Sequence, residues 1–263
     1  MPTFSFPHGL AGRLFAVALL AAALAACAPR DGHVPDFARQ QFEPFSRGAA
    51  VEIALREWRA FGGIVAPLEA PMEAVALTDS AERRQGLWQR VGEYWWLGLN
   101  ADQTGHAYTG LHDDQGRRFA PERDGAYAWS AAFVSYVMRM AGAGRRFPYA
   151  ASHYVYVNAA VRAAPDIALR AEDPALYAPQ PGDLVCAARD PARPLRYADL
   201  PVTRFWGHCD IVVRRDGDHL AVIGGNVQDA VALRRLALEP DGRLAVLVER
   251  PWLAVLRVHY DAP

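Results

Sequence analysis

The sequence predicts an α+β fold in which N-terminal helices pack on a C-terminal antiparallel β-sheet. Helical periodicity dominates the first part of the chain, and alternating strand patterns replace it after Pro181. Asp216-Gly217 and Asp241-Gly242 are hairpin signals between successive strand patterns. Helices followed by a run of hairpin-connected strands are typical of an α+β fold.

Residues 1–26 have the features of a secretory signal peptide. Arg13 precedes an apolar run that ends at Ala26 and is shorter than the roughly 20 residues of a membrane span. Leu24-Ala-Ala-Cys27 resembles the lipobox of bacterial lipoproteins, which implies a lipid anchor on Cys27. Ala28 resembles a signal for retention in the outer membrane, so we expect a lipid-anchored envelope protein that faces the periplasm. The alternative is an ordinary cleaved signal with an incidental cysteine.

The rest of the chain is expected to form a tether, residues 27–45, and one domain, residues 46–263. Within that domain, residues 46–126 form a helical prelude and loop, and residues 127–263 form the core. Hydrophobic residues make up 52% and charged residues 22%, as in ordinary globular domains. The net charge of −1 gives no electrostatic footprint for nucleic acid.

Four helices are predicted before the sheet. The first contains Val51, Leu55 and Trp58 and ends at Gly62-Gly63. The capping box Asp79-Ser-Ala-Glu82 opens the second. A long loop over residues 100–126 follows. The third helix starts near Ser130, buries Phe133, Val137 and Met140, and stops at Gly142 or Gly144. The fourth runs from Ser152 to the residues before Pro165. Strands are predicted at 183–188, 207–214, 218–224, 230–238, 243–249 and 252–259.

Ser130 is the first candidate for chemistry. It stands at the first position or N-cap of a helix, where unpaired backbone N–H groups and the positive end of the dipole surround its side chain. That environment suits a nucleophile and an oxyanion hole. The alternative is that Ser130 is only a helix cap, a common role for serine.

His208 and Asp210 are the next candidates. Strand alternation puts both on one face, with Cys209 and Ile211 on the other, and an apolar core strand has no need of such a pair. The alternative is a surface histidine on a half-exposed strand. Asn226, which follows a Gly-Gly pair, is a candidate to orient the histidine through its amide. Asn226 is equally compatible with a simple turn, and Asp210 is the second candidate for the orienting role.

The motifs together resemble those of papain-like cell-wall hydrolases of the NlpC and CHAP types. They are, in order, Tyr127-Ala-Trp-Ser-Ala-Ala-Phe-Val134, Pro181-Gly-Asp-Leu-Val185, Trp206-Gly-His-Cys-Asp210 and Gly224-Gly-Asn226. Serine stands where those families have cysteine. The first motif and Phe147-Pro-Tyr-Ala-Ala-Ser-His153 are also similar to a bacterial domain family of unknown function, related to CHAP amidases, in which serine is the ordinary residue.

The resemblance implies a papain-like fold and a peptidoglycan amidase or endopeptidase. Ser130 would be the nucleophile, His208 the general base, and Asn226 or Asp210 its orienting partner. The residues expected to bind substrate are Tyr127, Trp129, His153 and Trp206. The expected partner is cell-wall peptide, and no metal or cofactor is expected. The alternative is an inactive homologue that binds cell-wall peptide or an envelope partner without cutting it.

Cys186 and Cys209 lie on strands that the resemblance places near each other. In an oxidising envelope they could form a disulfide. Both also stand in apolar stretches, where small buried thiols are common.

Overall fold

The computed structural model describes residues 43–67, 80–103, 105–190, 194–246 and 251–261. The predicted signal peptide, the lipidation site Cys27 and nearly all of the predicted tether lie outside the described residues. Glu43–Pro263 form one compact unit.

Four α-helices occur in the described residues: α1 Arg47–Ala60, α2 Leu87–Gly98, α3 Ser130–Met140 and α4 His153–Arg162. The predicted start of α2 is wrong, because residues 81–83 form a separate 3₁₀ turn and Ser80 makes no side-chain cap bond. The helix begins only after Gly86, whose positive φ of 88° lies outside the range of a right-handed helix. Met140, predicted to be buried, is 38% exposed at the end of α3.

Six strands form one sheet in the described residues: β1 Leu169–Glu172, β2 Leu184–Ala188, β3 Gly207–Asp216, β4 His219–Gly224, β5 Ala232–Ala237 and β6 Trp252–Val258. Their order is β1-β6-β2-β3-β4-β5, and every pair is antiparallel. β1 is absent from the sequence prediction, and of the strand predicted at 243–249 the described part makes only a bridge from Leu244 to Leu238. The α+β class is confirmed.

Helix α3 lies at the centre of the core. It packs on α1, α2 and β3, and Phe133 and Val137 are fully buried in the cluster that the helices share with one face of the sheet. Gly98 allows α2 to approach closely, since a Cβ there would stand 2.5 Å from the Ala132 carbonyl oxygen. The first turn of α3 is therefore held by packing on several sides. None of the described helices combines the length and apolar character that a membrane span needs.

The predicted alternation along β3 is confirmed. Cys209 and Ile211 belong to the helix-facing cluster, whereas Val212 belongs to a second cluster on the other face of the sheet. Cys209 is bonded to Cys186, which lies directly opposite on β2. Of the two possibilities that the sequence leaves open for these cysteines, the structure has the disulfide, and it joins the two strands beside His208.

Candidate functional site

Ser130 is the first residue of α3, as the sequence predicts. The cap position belongs to Trp129, whose backbone N–H donates to Asn226 Oδ1 at 3.1 Å. The first helical bond runs from the Phe133 N–H to the Trp129 carbonyl, so the N–H groups of residues 130–132 have no partner within the helix. These N–H groups lie in the same helical turn as Ser130, which is 4% exposed.

The Ser130 hydroxyl contacts a histidine, and that histidine is His153. Ser130 Oγ and His153 Nε2 lie 2.7 Å apart, and His153 Nδ1 is hydrogen-bonded to the Tyr156 hydroxyl. Because a hydroxyl can donate or accept, either neutral tautomer of His153 satisfies both bonds. Ser130, His153 and Tyr156 are called the serine set below.

Burial governs the charge of the serine set. It lowers the pKa of His153 well below the usual value, and the nearby His208 and Arg189 lower it further. Burial, with Asp210 adding to it, raises the pKa of Tyr156 well above 10. At neutral pH His153 is therefore a neutral imidazole with one unprotonated ring nitrogen, and Tyr156 is a protonated phenol.

A second group, called the ionic set, surrounds His208. Its Nε2 lies 2.9 Å from Asp210 Oδ1 and its Nδ1 lies 2.7 Å from Arg189 Nη2, while Asp210 Oδ2 pairs with Arg234. A guanidinium can only donate, so Nδ1 accepts and the proton of the neutral ring is on Nε2. Gly224 leaves space for this arrangement, because a Cβ there would stand 2.8 Å from His208 Nε2 and collide with the Asp210 carboxylate.

The ionic set contains ionised groups, whereas the serine set is neutral. Burial lowers the pKa of His208 to about 4, although Asp210 opposes the shift. Burial alone would raise the pKa of Asp210, but the charge of Arg234 and the hydrogen bonds from Arg234 and His208 outweigh it and hold that pKa below its usual range. At neutral pH the set is an ion pair between Asp210 and Arg234 with a neutral His208 beside it.

The structure gives Ser130 a different histidine partner from the one that the sequence predicts. His208 has both ring nitrogens in bonds to the ionic set, and its ring centroid lies 5.3 Å from that of His153, which carries the bond to Ser130. Asp210 occupies the predicted orienting position on His208. Asn226 instead caps the Trp129 N–H and has a left-handed φ of 56°, which agrees with the turn interpretation.

The four predicted substrate-binding residues have different environments. Trp129 is 1% exposed and its ring contacts Phe61, Tyr94 and Phe133 in the core. Tyr127 is half-buried and stacks on Phe119, with ring centroids 4.2 Å apart. His153 contacts Ser130 directly, and Trp206 is 76% exposed. Only Trp206 presents a large free aromatic surface among these four.

Trp206 lines an open pocket of about 290 Å³ at the end of the β2–β3 hairpin, together with Ala188, Asp190, Leu195, Arg204 and Phe205. The backbone N–H of Arg189, a member of the ionic set, donates to the carbonyl of the pocket residue Trp206 at 2.8 Å. Phe205 also lies near Tyr154, the residue after His153, with ring centroids 6.3 Å apart. The pocket therefore lies next to residues that contact or adjoin the two histidines, and residues between β2 and β3 form most of its lining.

Three members of the two sets were not predicted from the sequence: Tyr156, Arg189 and Arg234. Tyr156 follows His153 by three residues in α4, and this spacing on a helix is a signal that could have identified it. Arg234 offers a weaker signal, as a charged residue in a buried strand position. For Arg189, which follows β2, no local pattern indicates the contact with His208.

Three buried carboxyl groups lie behind the first turn of α3. One oxygen each of Glu82, Asp124 and Asp229 lies within 4.8 Å of the others, a spacing at which carboxylates can hold a cation. Trp129 Nε1 donates to Glu82 Oε2, and Asp124 pairs with Arg83. Burial raises the pKa of all three groups, and neighbouring aspartates add to the shift of Glu82, whose pKa is raised to about 8, and of Asp229, whose pKa is raised to about 6. These residues are called the carboxyl cluster below.

The chain belongs to a bacterial family described as "Uncharacterized protein conserved in bacteria (DUF2272)", whose model matches residues 82–258, more than half of the chain. No curated protein and no solved structure matches the chain. The matched range contains all of the serine set, the ionic set and the carboxyl cluster.

Proposed function

We propose that this protein is a lipid-anchored envelope hydrolase of papain-like, NlpC/CHAP-related fold that cleaves an amide in peptidoglycan through Ser130. The observation that carries the proposal is the 2.7 Å contact between Ser130 Oγ and His153 Nε2 at the N-terminus of α3. A nucleophile, a base within hydrogen-bond reach and a third group that orients the base form the constellation of acyl transfer. The envelope location rests on the signal and on Cys27.

The chemistry assigns one role to each member of the serine set. With the His153 proton on Nδ1 and donated to Tyr156, Nε2 takes the Ser130 proton as Oγ attacks the scissile carbonyl. The N–H groups of the first α3 turn bind the oxyanion. His153 then gives its proton to the leaving amine, which departs as the amide C–N bond breaks. Water, deprotonated by His153, releases the acyl group and restores the Ser130 hydroxyl.

The ionic set has a positioning role in this scheme. Its neutral His208 lies next to His153, and the Asp210–Arg234 pair fixes its orientation without placing a free acceptor near Ser130. The scheme therefore differs from the sequence prediction, which makes His208 the base. In this scheme a sugar or aromatic group of the substrate stacks on Trp206, and the scissile amide bond is directed towards His153.

A second candidate function is binding of cell-wall peptide without cleavage. The observation that favours it is burial, since Ser130 is 4% and His153 5% exposed. A site so enclosed serves hydrolysis only if neighbouring segments open, whereas a binding protein can use the Trp206 pocket as it stands. An alcohol also ionises far less readily than the thiol that papain-like sites use.

The decisive experiment incubates purified mature protein with sacculi and identifies released fragments by mass spectrometry. Wild type should release peptides, and Ser130→Ala should release none while still binding sacculi. Ser135→Ala is the matched control, because Ser135 is a buried serine of the same helix that bonds only to the backbone of Ala150. It should keep hydrolysis.

The outcomes separate the candidates. Inert wild type with binding to sacculi, and recovery of hydrolysis in Ser130→Cys, would establish the non-hydrolytic alternative. Hydrolysis that survives Ser130→Ala would place the chemistry elsewhere.

The lipid anchor is tested by Cys27→Ser. This change should abolish labelling by a fatty-acid probe, and unchanged labelling would contradict the lipoprotein assignment.

A further inference from the structure

The carboxyl cluster lies directly against the residue that precedes Ser130. Glu82 accepts a hydrogen bond from Trp129 Nε1, and Asn226 links Asp229 to the Trp129 backbone, with Nδ2 3.4 Å from Asp229 Oδ1 and Oδ1 3.1 Å from the Trp129 N–H. The backbone N–H of Glu82 also donates to the Asp229 carbonyl at 2.9 Å. The indole and the amide of Trp129 are thus both held by this cluster.

Among the described residues, the three carboxyl groups of the cluster share one ion pair, between Asp124 Oδ1 and Arg83. The exposed Glu122 also faces the cluster, next to Asp124. Asp124 Oδ2 is buried and has no hydrogen-bond partner, and the Glu82 and Asp124 carboxyls bring one oxygen each to within 4.8 Å of each other. Two carboxylates at that distance in a buried site cannot both be ionised without large repulsion. A proton between them supplies the missing donor.

We propose that Glu82 and Asp124 share one proton, and that this acid pair is a pH-sensitive latch that fixes Trp129 and the first turn of α3. Loss of the proton to solvent leaves two buried anions that repel each other and Asp229. The repulsion loosens the Trp129 contacts and so the N–H groups around Ser130. The inference rests on the proposed function only where it connects this turn to the reaction.

The direction of the pH effect follows from linkage. A carboxyl whose pKa is raised by folding to about 8, as burial and Asp229 raise that of Glu82, binds its proton more tightly when folded. Stability therefore falls as pH rises from the unfolded pKa to about 8. His153 and His208 have lowered pKa values, so their protonation affects stability below pH 6.5. The pKa of Asp229 is raised to about 6, so this group is largely ionised by pH 7. The ionisation of Glu82 therefore dominates the pH dependence of stability between pH 7 and 9.

The test measures hydrogen exchange of the amides of residues 129–132 at pH 7, 8 and 9, corrected for the intrinsic exchange rate. We expect protection in wild type to fall by about tenfold or more over this range. In Glu82→Gln, which keeps a neutral group at this position, protection should not vary with pH. Glu52→Gln is the matched control, because Glu52 is an exposed glutamate of α1 that is not among the groups facing the cluster, and it should behave as wild type.

Infrared difference spectra provide a second measurement that does not require Glu82→Gln to fold. Wild type should show a protonated-carboxyl band that disappears between pH 7 and 9, and Asp124→Asn should shift or remove it. Absence of the band, or the same pH dependence of protection in Glu82→Gln and wild type, would overturn the proposal. Saturable thermal stabilisation of wild type at pH 7 by Ca²⁺, Mg²⁺ or Mn²⁺, lost in Glu82→Gln, would also overturn it by assigning the cluster to a cation. None of these readouts uses hydrolysis, so a failure here is distinct from a failure of the proposed function.

Discussion

His153 and His208 are neighbouring buried histidines with opposite kinds of partners. Their ring centroids lie 5.3 Å apart, but His153 is bonded to two neutral hydroxyls, whereas His208 is bonded to a carboxylate and a guanidinium. Burial removes the positive charge from both rings. The difference is in what each ring can still do: His153 can exchange a proton with Ser130, and His208 is fixed by charges that leave neither nitrogen available. In the proposed mechanism, the partners of each ring, rather than the residue type, make His153 the base and His208 a positioning residue.

The largest test of this comparison exchanges each histidine for glutamine. If His153 is the base, His153→Gln should lower turnover by about 10² to 10⁴, the usual contribution of general base catalysis. His208→Gln should reduce turnover less than about tenfold, because an amide can still accept from Arg189 and donate to Asp210. Turnover is measured as peptide released per hour from sacculi. A larger loss in His208→Gln would restore His208 as the base, as the sequence predicts.

Removal of Asp210 tests the ionic set through stability. Asp210→Ala leaves Arg234 and the Nε2–H of His208 buried without their acceptor, so we expect a loss of about 3–5 kcal/mol in the free energy of unfolding. The measurement is equilibrium urea unfolding. Asp216→Ala, which breaks the exposed pair with Arg214, is the control and should change stability by less than about 1 kcal/mol. Similar effects of the two changes would show that the Asp210 pair is not buried as described.

The disulfide separates the two sets by location. Cys186 and Cys209 join β2 to β3 beside His208, whereas Ser130 and His153 are on helices. Replacing both cysteines by alanine should lower the free energy of unfolding by about 2–4 kcal/mol. We expect hydrogen exchange to increase mainly along β2 and β3, with the first turn of α3 protected as before. A uniform increase across helices and strands would contradict this separation.

Acid titration gives a smaller effect that both histidines share. The folded pKa of His208 is lowered to about 4, and that of His153 also lies below the unfolded value of about 6.5. At these two rings protons therefore bind the unfolded chain more tightly, and the histidine contribution to the free energy of unfolding should fall as pH decreases below 6.5, by up to about 1.4 kcal/mol per pH unit for each histidine. Glu82 contributes the opposite slope in the same range, so the histidine effect is measured as the difference between wild type and His208→Gln in urea unfolding at pH 7, 6 and 5. An unchanged slope in that variant would mean that His208 does not titrate as its surroundings indicate.

Local sequence patterns predicted much of what is contained within single elements. The start of α3 at Ser130, the start of α4 after Ser152 and the alternation along β3 all depend on residues close in sequence. The second helix was misplaced because Asp79-Ser-Ala-Glu82 fits a capping box, while the chain uses Ser80 and Glu82 in a short turn before Gly86. Glu82 instead contacts Trp129, 47 residues away, and no local pattern contains that information.

The sequence by itself determined which residues share a face of a helix or strand, because periods of 3.6 and 2 are properties of the local backbone. That was enough to identify Ser130 at a helix start and to place His208 with Asp210. Only the tertiary structure decided which histidine meets the serine, because that depends on how the start of α4 packs against the start of α3. The same holds for Arg234, since a buried carboxylate requires a cation but the packing of the sheet selects which arginine supplies it.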